Sequence, residues 1–285
     1  MYRLVGVTLF IAIIGLSLLM LPLNANEKGV AYQNQVAVLM YHHIHDTDHS
    51  SSTITTRLFR DQLQYLRDKG YHFISLNDFR RFMDGAGVPN NAVLVTFDDG
   101  YQSFYTHAYP ILQSMLIPAV NFIITETLDD PLSANIPYMS NEQISEIIHN
   151  SRFIDAQCHT DSLHVKLPDG KAALVGRIET NGHPETDEEY KKRIAQDTTA
   201  CREKLAMLSD QPVDSLAYPY GISSKPASEL ISQAGIQYAF TIVPEMATRK
   251  SDKLFIPRIN AGSPGITPEV LLHTIERRIA AVPND

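Results

Sequence analysis

Short apolar runs alternate with amphipathic stretches along most of this chain. The clearest runs are VAVLMY at 36–41, AVLVTF at 92–97 and AVNFIIT at 119–125. Each has the length and continuity of a strand buried on both faces. The remaining patterns predict strands at 71–76, 153–158, 215–221, 237–242 and 255–259, and helices at 57–69, 78–83, 104–116, 140–149, 187–208, 225–234 and 268–281. Asn77 is the predicted cap of the helix at 78–83, and Ser140 with Gln143 predicts a capping box for the helix at 140–149.

This alternation predicts an α/β fold with a parallel sheet. About seven strand–helix units within 285 residues favour a distorted (β/α) barrel of about seven parallel strands over an open sheet. Residues 160–185 carry no clear periodicity and are expected to be irregular. The pattern contains no internal repeat, so a single catalytic domain over residues 30–285 is the simplest interpretation.

The first residues differ from the rest. Arg3 precedes an apolar run over residues 4–23, and Ala25 offers a small residue for cleavage. This is typical of an export signal, and the run is also long enough for an uncleaved membrane anchor. Residues 1–25 are therefore predicted to be a signal peptide or an N-terminal anchor. The functional domain would then be extracellular, associated with the cell surface or anchored to the membrane.

The net charge limits the classes of binding partner, and the two cysteines allow at most one disulfide within the chain. The formal charge is −8, and loss of the +1 of Arg3 with residues 1–25 would make it −9. Such an acidic domain is a poor candidate for nucleic acid binding. Cys158 ends an apolar run and Cys201 lies in a helical pattern. We interpret them as two buried thiols, with a disulfide as the alternative in an oxidising compartment.

Polar side chains follow four of the predicted strands, and the carboxyl ends of parallel strands form the functional edge of such folds. These side chains are expected to lie close together. The groups, in chain order, are His42 and His43, Asp98 and Asp99, His159 and His164, and the Tyr218–Gly221 turn.

One carboxylate and two imidazoles are a common ligand set for a divalent metal ion. His159 and His164 are five residues apart, so a strand end followed by a turn would bring them together, whereas a helix would not. We expect one of the paired acids to bind the ion and the other to act as general base, with His42 as the acid. Two ordinary loop histidines are the alternative. Zinc is the default ion, with nickel, cobalt or ferrous iron as alternatives.

Two further features admit two interpretations each. The histidine-rich YHHIHDTDHS stretch is compatible with a second, weak metal site, but we favour His45 and His49 as solvated loop residues. In AYPYG, Tyr218 and Tyr220 are candidates for a sugar-binding platform, and a backbone N–H there for an oxyanion donor. A strand-terminating turn with packed rings is the alternative.

The motifs TFDDG, HTDSLH and YPYG resemble those of the polysaccharide deacetylase family, the NodB-homology enzymes of carbohydrate esterase family 4. With MYHHI, GIQYAFT and IPRI, the resemblance covers about residues 36–275. The N-terminal Tyr-His pair and the histidine spacing point to the branch that deacetylates poly-β-1,6-N-acetyl-D-glucosamine in biofilms. The chain resembles the members of that branch that have a single domain.

The resemblance implies roles by position. Asp98 would be the general base, and His42 the catalytic acid. The metal ligands would be Asp99, His159 and His164, and Tyr220 would supply an oxyanion-stabilising backbone amide. The implied reaction releases acetate from an acetylated polysaccharide outside the cytoplasm. The protein is expected to be a monomer. The cell surface and the machinery for polysaccharide synthesis and export are further candidate partners.

One position departs from the wider family, which has an arginine pairing with the base where Ala217 stands here. We therefore expect a less well-oriented base and modest activity. Three other functions fit the same residues to differing degrees: a peptidoglycan- or chitin-type N-deacetylase, an O-acetyl esterase, and a catalytically silent glycan-binding protein.

Overall fold

A computed structural model describes residues 29–281 of the chain. The predicted signal or anchor at 1–25 lies outside the described residues. The strands are β1 (Gln35–Tyr41), β2 (His43–Ile44), β3 (Thr53–Ile54), β4 (His72–Phe73), β5 (Ala92–Phe97), β6 (Ala119–Ile123), β7 (Ile154–Cys158), β8 (Glu179–Thr180), β9 (His183–Pro184), β10 (Ser215–Ala217), β11 (Tyr238–Phe240), β12 (Ala247–Thr248) and β13 (Ile259–Asn260). The α-helices are α1 (Thr56–Asp68), α2 (Leu76–Met83), α3 (Tyr109–Met115), α4 (Asn141–Asn150), α5 (Asp187–Ala206), α6 (Lys225–Gln233) and α7 (Pro268–Arg277).

Most strands belong to one curled, mainly parallel sheet in the order β11-β10-β7-β6-β5-β1. Beyond β1, β13 continues the sheet in parallel and β12 pairs in antiparallel fashion. An isolated parallel bridge joins Phe240 of β11 to Ile256, just before β13. The two edges of the sheet thus approach each other, and the predicted α/β fold is confirmed as a curled half-barrel.

Side-chain alternation along the central strands separates two apolar layers. In β1, Val36 and Val38 face the cluster inside the curl, whereas Ala37 and Leu39 face the cluster beneath the outer helices. Both sets are fully buried, because successive residues of a strand point to opposite faces. This two-sided burial explains the continuous apolar runs in the sequence.

Local capping sets several helix boundaries. The capping box predicted for the helix at residue 140 is present, since Ser140 accepts from the backbone N–H of Gln143, whose side chain accepts from that of Ser140. The start of α2 was predicted wrongly, at residue 78 in place of residue 76. Ser75, in place of Asn77, caps α2 through the backbone N–H of Asp78, which ends the preceding strand at Phe73.

The two cysteines form a disulfide, so the interpretation as two buried thiols is wrong. Cys158, the last residue of β7, is bonded to Cys201 on α5, with Cα atoms 6.0 Å apart. The helical pattern around Cys201 did not reveal that this face of α5 lies directly over β7. Among residues 29–281, no helix combines the length and apolar character needed to cross a bilayer.

Candidate active site

Parallel register brings the ends of four strands to one edge of the sheet. Tyr41 lies opposite Phe97, which lies opposite Asn121. On the far side, Cys158 lies opposite both Ile123 and Leu216. The residues that follow these strands therefore meet, as the sequence predicts. They are His42 after β1, Asp98 after β5, His159 after β7 and Tyr218 after β10.

The turn after β5 has an unusual backbone. Asp99 adopts a φ of 76° and Gly100 a φ of 83°. A Cβ at residue 100 would lie 3.1 Å from Cγ2 of Ile123, so glycine is favoured there by both conformation and space. A left-handed aspartate is uncommon and costs about 1–3 kcal/mol, and such strain concentrates at functional sites.

This turn directs the two acids to different partners. Asp99 faces two imidazoles, with its Oδ1 3.4 Å from Nε2 of His159 and 3.5 Å from Nε2 of His164. These are the three predicted metal ligands, and their donor atoms lie within 4.8 Å of one another. The predicted triad is thus assembled in space.

Neighbouring groups hold both imidazoles in position. Nδ1 of His159 donates to the carbonyl oxygen of Ala217, 2.9 Å away, which leaves Nε2 directed at Asp99. The turn that returns the chain to His164 is held by Asp197 on α5, whose carboxylate accepts from the backbone N–H groups of Asp161 and Ser162. Such supporting contacts fix the orientation of metal-binding histidines.

The donor spacing fits a tetrahedral divalent ion. Ligand atoms about 2.0–2.2 Å from a tetrahedral ion are separated from each other by roughly 3.4 Å, close to the two distances from Asp99. A carboxylate with two imidazoles also leaves open positions, as catalytic sites do. The residues present therefore fit a catalytic divalent metal ion.

The protonation of the triad also suits a cation. Burial lowers the pKa of His164 to about 4, so its ring is neutral at physiological pH. Burial opposes ionisation of Asp99, yet the adjacent His159 and the other imidazoles outweigh it and lower the pKa of Asp99. Burial likewise disfavours a charged His159, but Asp99 and Asp98 raise its pKa. The surroundings of Asp99 thus favour a positive charge beside its carboxylate, and a bound metal ion would supply one.

Asp98 is held by an arginine that the sequence analysis missed. Arg258, just before β13, donates from Nη1 to Oδ1 of Asp98 (2.6 Å) and from Nη2 to Oδ2 (2.7 Å). Both residues are buried, and Nη1 of Arg258 also donates to Thr96. The expectation that Ala217 leaves the base poorly oriented is wrong, because the guanidinium is supplied by the segment just before β13. An arginine within the apolar FIPRI run was the available signal, since a buried charge requires a partner.

This ion pair keeps Asp98 ionised. Burial alone would raise the pKa of Asp98, but the charge of Arg258 and then that of His159 lower it below its usual value. A bidentate arginine–carboxylate pair is both strong and geometrically specific. Asp98 is therefore a well-oriented carboxylate of reduced basicity.

The two histidines after β1 point in different directions. Nε2 of His42 lies 3.9 Å from Oδ2 of Asp98, and the side chain retains 24% exposure. Nδ1 of His42 is buried and has no hydrogen-bond partner among the described residues. His43 instead packs against Ser103, away from Asp98. His42 is thus the histidine that the structure brings to the predicted base.

The two tyrosines of AYPYG have different environments. Tyr218 is fully buried, and its hydroxyl donates to the carbonyl oxygen of Leu254. It is a packed ring, so its proposed place in a sugar platform is not supported. Tyr220 is 36% exposed, adopts a φ of 58°, and its ring centroid lies 4.4 Å from that of His164. Tyr220 therefore lies at the rim of the triad of Asp99, His159 and His164.

A further tyrosine borders the site and was not predicted. Tyr101 stacks on Tyr138 with ring centroids 5.2 Å apart. Burial and then the neighbouring Asp99 carboxylate raise the pKa of Tyr101, so its hydroxyl remains protonated. With Tyr220, these rings give the site an aromatic border of the kind that sugars contact.

Comparison of the sequence with protein-family models identifies the family of this chain. The family model for polysaccharide deacetylases matches residues 85–239, which is more than half of the chain and includes Asp98, Asp99, His159 and His164. The chain belongs to the polysaccharide deacetylase family. The predicted family is therefore confirmed.

Individual relatives agree with this membership. The chain is 25% identical over 251 residues to a poly-β-1,6-N-acetyl-D-glucosamine N-deacetylase of Staphylococcus epidermidis, covering 83% of this chain and 82% of that one. A Staphylococcus aureus protein of the same description is 25% identical over 225 residues, 79% of this chain and 71% of the relative.

Solved structures share the fold. IcaB from Ammonifex degensii is 27% identical with a TM-score of 0.71, over 85% of this chain and 97% of IcaB. A de-N-acetylase from Aggregatibacter actinomycetemcomitans has a TM-score of 0.74 at 23% identity, over 85% of this chain and 100% of that one. The half-barrel with its polar strand ends is thus a polysaccharide deacetylase fold.

Proposed function

We propose that this protein is a metal-dependent N-deacetylase of poly-β-1,6-N-acetyl-D-glucosamine. The observation that carries the proposal is the juxtaposition of two separate devices at one sheet edge. One is the triad of Asp99, His159 and His164, and the other is the Asp98 carboxylate with His42 beside it. A glycan-binding protein has no need of both.

A divalent ion on the triad would supply Lewis-acid activation of water and of the acetamide carbonyl. The ionised Asp98 accepts a proton from the attacking water, and Arg258 holds the carboxylate in position as it does so. Water oxygen bonds to the carbonyl carbon to give a tetrahedral oxyanion. The backbone N–H of Tyr220 is the proposed protein donor to that oxyanion.

His42 completes the proposed reaction as general acid. Its protonated ring donates to the sugar nitrogen as the C–N bond breaks, so the products are acetate and a free glucosamine amine. The 3.9 Å between Nε2 of His42 and Oδ2 of Asp98 supports this assignment, because the acid and the base must act on the same acetamide group.

The choice of polymer rests on the relatives. Both staphylococcal proteins that cover most of this chain are described as acting on poly-β-1,6-N-acetyl-D-glucosamine. The aromatic border formed by Tyr101, Tyr138 and Tyr220 is suited to a sugar chain. Deacetylation would add positive charge to the polymer and help it adhere to anionic surfaces, as in biofilm maturation.

We further propose that the protein works outside the cytoplasm. The apolar segment at 4–23 supports export. The Cys158–Cys201 disulfide adds support, since such bonds persist mainly in oxidising compartments.

The decisive test is acetate release from poly-β-1,6-N-acetyl-D-glucosamine. The protein is stripped with chelator, refilled with zinc, nickel, cobalt or ferrous iron one at a time, and compared with Asp99→Ala. We expect release that depends on metal and is absent in the variant. Release from chitin or peptidoglycan fragments, or from O-acetylated xylan, in place of this polymer would assign a different substrate. No release from any of them by folded, metal-loaded protein would refute a deacetylase.

A further inference from the structure

A second cluster of histidine and carboxylate groups lies outside the proposed active site. Oδ2 of Asp48 lies 3.1 Å from Nε2 of His43, and Oδ1 of Asp48 lies 3.3 Å from Nδ1 of His45. The three donor atoms lie within 4.8 Å of one another. In composition and spacing this cluster matches the triad of Asp99, His159 and His164, although none of its members takes part in the proposed reaction.

His45 lies in the loop after β2, as expected, and its side chain retains 34% exposure. Its ring is stacked on that of His43, with centroids 5.3 Å apart and planes 9° apart. His49, the other histidine of that expectation, is exposed as predicted. The histidine-rich stretch thus divides into an organised pair and an exposed neighbour.

Hydrogen bonding identifies which nitrogen of His45 carries a lone pair. The backbone N–H of Asp48 donates to Nδ1 of His45 over 3.0 Å, and the backbone N–H and hydroxyl of Thr47 lie 3.4 Å away. An imidazole nitrogen that accepts from N–H has no proton of its own. That lone pair nevertheless lies beside a carboxylate oxygen of Asp48. Two acceptors at such a distance are unfavourable unless a proton or a metal ion lies between them. A bound metal ion would take the Nδ1 lone pair in place of the hydrogen bond from the backbone N–H of Asp48.

His43 has the support expected of a metal ligand. Its Nδ1 lies 2.8 Å from the hydroxyl oxygen of Ser103, and the same oxygen accepts from the backbone N–H of Ile44. The ring is also packed edge-on against Tyr101. This contact to the second ring nitrogen parallels the one that Ala217 makes to His159, and it leaves Nε2 directed at Asp48.

The loop that carries the cluster is already folded around it. Strands β2 and β3 pair through His43–Thr53 and Ile44–Ile54, and the backbone N–H of His45 donates to Ile54. Asp48 is 51% exposed, so an ion has access from solvent. His107 packs at 69° against His45, with centroids 5.7 Å apart, and offers a further imidazole.

We propose that His43, His45 and Asp48 bind a second divalent transition-metal ion, with His107 as an additional donor. Imidazole and carboxylate ligands suit zinc, nickel or cobalt. The ion would join the loop after β2 to the segment that carries Ser103 and His107. It would thereby fix the chain immediately after His42.

The test measures metal binding and does not depend on catalysis. Chelator-stripped protein is titrated with Co²⁺ by calorimetry and visible absorption, and bound metal is counted after gel filtration. We expect two ions per chain in the wild type. Asp99→Ala should bind one, and Asp99→Ala combined with Asp48→Ala should bind none.

His45 and His49 lie in the same loop, and their substitution provides a matched comparison. His45→Gln should remove one ion, whereas His49→Gln should retain both. In the Asp99→Ala background, Co²⁺ should raise the melting temperature, and adding His45→Gln should abolish that rise. Circular dichroism establishes that each variant is folded.

Two results would overturn the proposal. One is a single ion in the wild type that Asp99→Ala abolishes, and the other is retention of two ions by both Asp48→Ala and His45→Gln. The proposed deacetylase function fails separately, because it is judged by acetate release and not by the number of ions. Two bound ions without acetate release would refute only the function.

Discussion

Two buried polar clusters lie at opposite ends of the same sheet, and both contain two acids near an arginine. At the carboxyl end, Asp98 is paired with Arg258 beside Asp99. At the amino end, Arg80 of α2 lies 2.5 Å from Asp214 and 4.0 Å from Asp155. The two clusters have similar composition but different electrostatics.

The two clusters differ in how far positive groups offset the cost of burying each carboxylate. At the carboxyl end, cations and imidazoles outweigh burial and lower the pKa of both acids. At the amino end, burial is the largest influence on Asp155. The attraction of Arg80 is partly cancelled by Asp214, so the pKa of Asp155 is raised to about 6. One end therefore holds carboxylates whose pKa values are lowered, and the other holds an acid whose pKa is raised by burial.

This contrast indicates separate purposes. The proposed general base and the proposed metal ligand must both be ionised at working pH, and the surrounding positive groups favour that form. At the amino end nothing requires ionisation, since Arg80 and Asp214 tie α2 to the start of β10. The same substitution should therefore lower activity at the carboxyl end, whereas at the amino end it should leave activity unchanged and raise stability.

The largest effect is expected from Asp98→Asn compared with Asp155→Asn. Loss of the base at residue 98 should lower kcat by about 10²–10⁴-fold, because an amide cannot accept the water proton. The change at residue 155 should leave kcat unaffected, since that residue lies at the far end of β7. Acetate release at saturating polymer measures both.

Metal content serves as the control for this pair. Both variants retain Asp99 and the two imidazoles, so both should bind metal like the wild type. Equal activity of Asp98→Asn and wild type would remove Asp98 from the mechanism. Loss of activity in Asp155→Asn would mean that the two ends are not independent.

A smaller effect is expected from Arg258→Lys. Lysine cannot form the bidentate pair, so Asp98 loses both its orientation and part of the positive charge that lowers its pKa. We expect a decrease in kcat of roughly 10- to 100-fold, typical of a misplaced catalytic group. The active base is ionised, so a raised pKa should make activity fall at a higher pH on acidification.

The pH profile of kcat/KM distinguishes orientation from structural damage. Its acidic limb should shift upward in Arg258→Lys, whereas Arg80→Lys at the amino end should leave the profile in place. An unshifted acidic limb in Arg258→Lys would show that this arginine does not set the ionisation of Asp98.

The sequence predicts the carboxyl-end site better than the amino-end cluster, for physical reasons. Asp98, Asp99, His42 and His159 each follow an apolar strand, so parallel pairing alone brings them together. Arg258 was missed because it precedes its strand and reaches Asp98 through the length of its side chain. The hydrophobic pattern of a sequence does not predict a contact made through a long side chain.

Contacts between segments distant in the sequence also could not be predicted from the hydrophobic pattern. The Cys158–Cys201 bond depends on which face of α5 covers β7, and the burial of Tyr218 depends on the segment around Leu254. Local signals performed better: the Ser140 capping box was predicted, although Ser75 was not recognised as a cap in preference to Asn77. Tertiary contacts decide what local preference leaves open.

The smallest effect, on stability, should distinguish the amino end most clearly. Because the folded pKa of Asp155 is about 6 against an ordinary 3.8, the unfolded chain ionises first as pH rises. The native state therefore loses stability between about pH 4 and pH 6 and does not regain it above. Asp155→Asn removes this penalty. We expect it to raise the free energy of unfolding by about 1–2 kcal/mol at pH 7.5, and by little at pH 4. Urea denaturation at the two pH values measures the difference. A variant that is less stable than wild type at pH 7.5 would mean that the attraction of Arg80 outweighs the cost of burying Asp155, and that the two ends of the sheet compensate their acids alike.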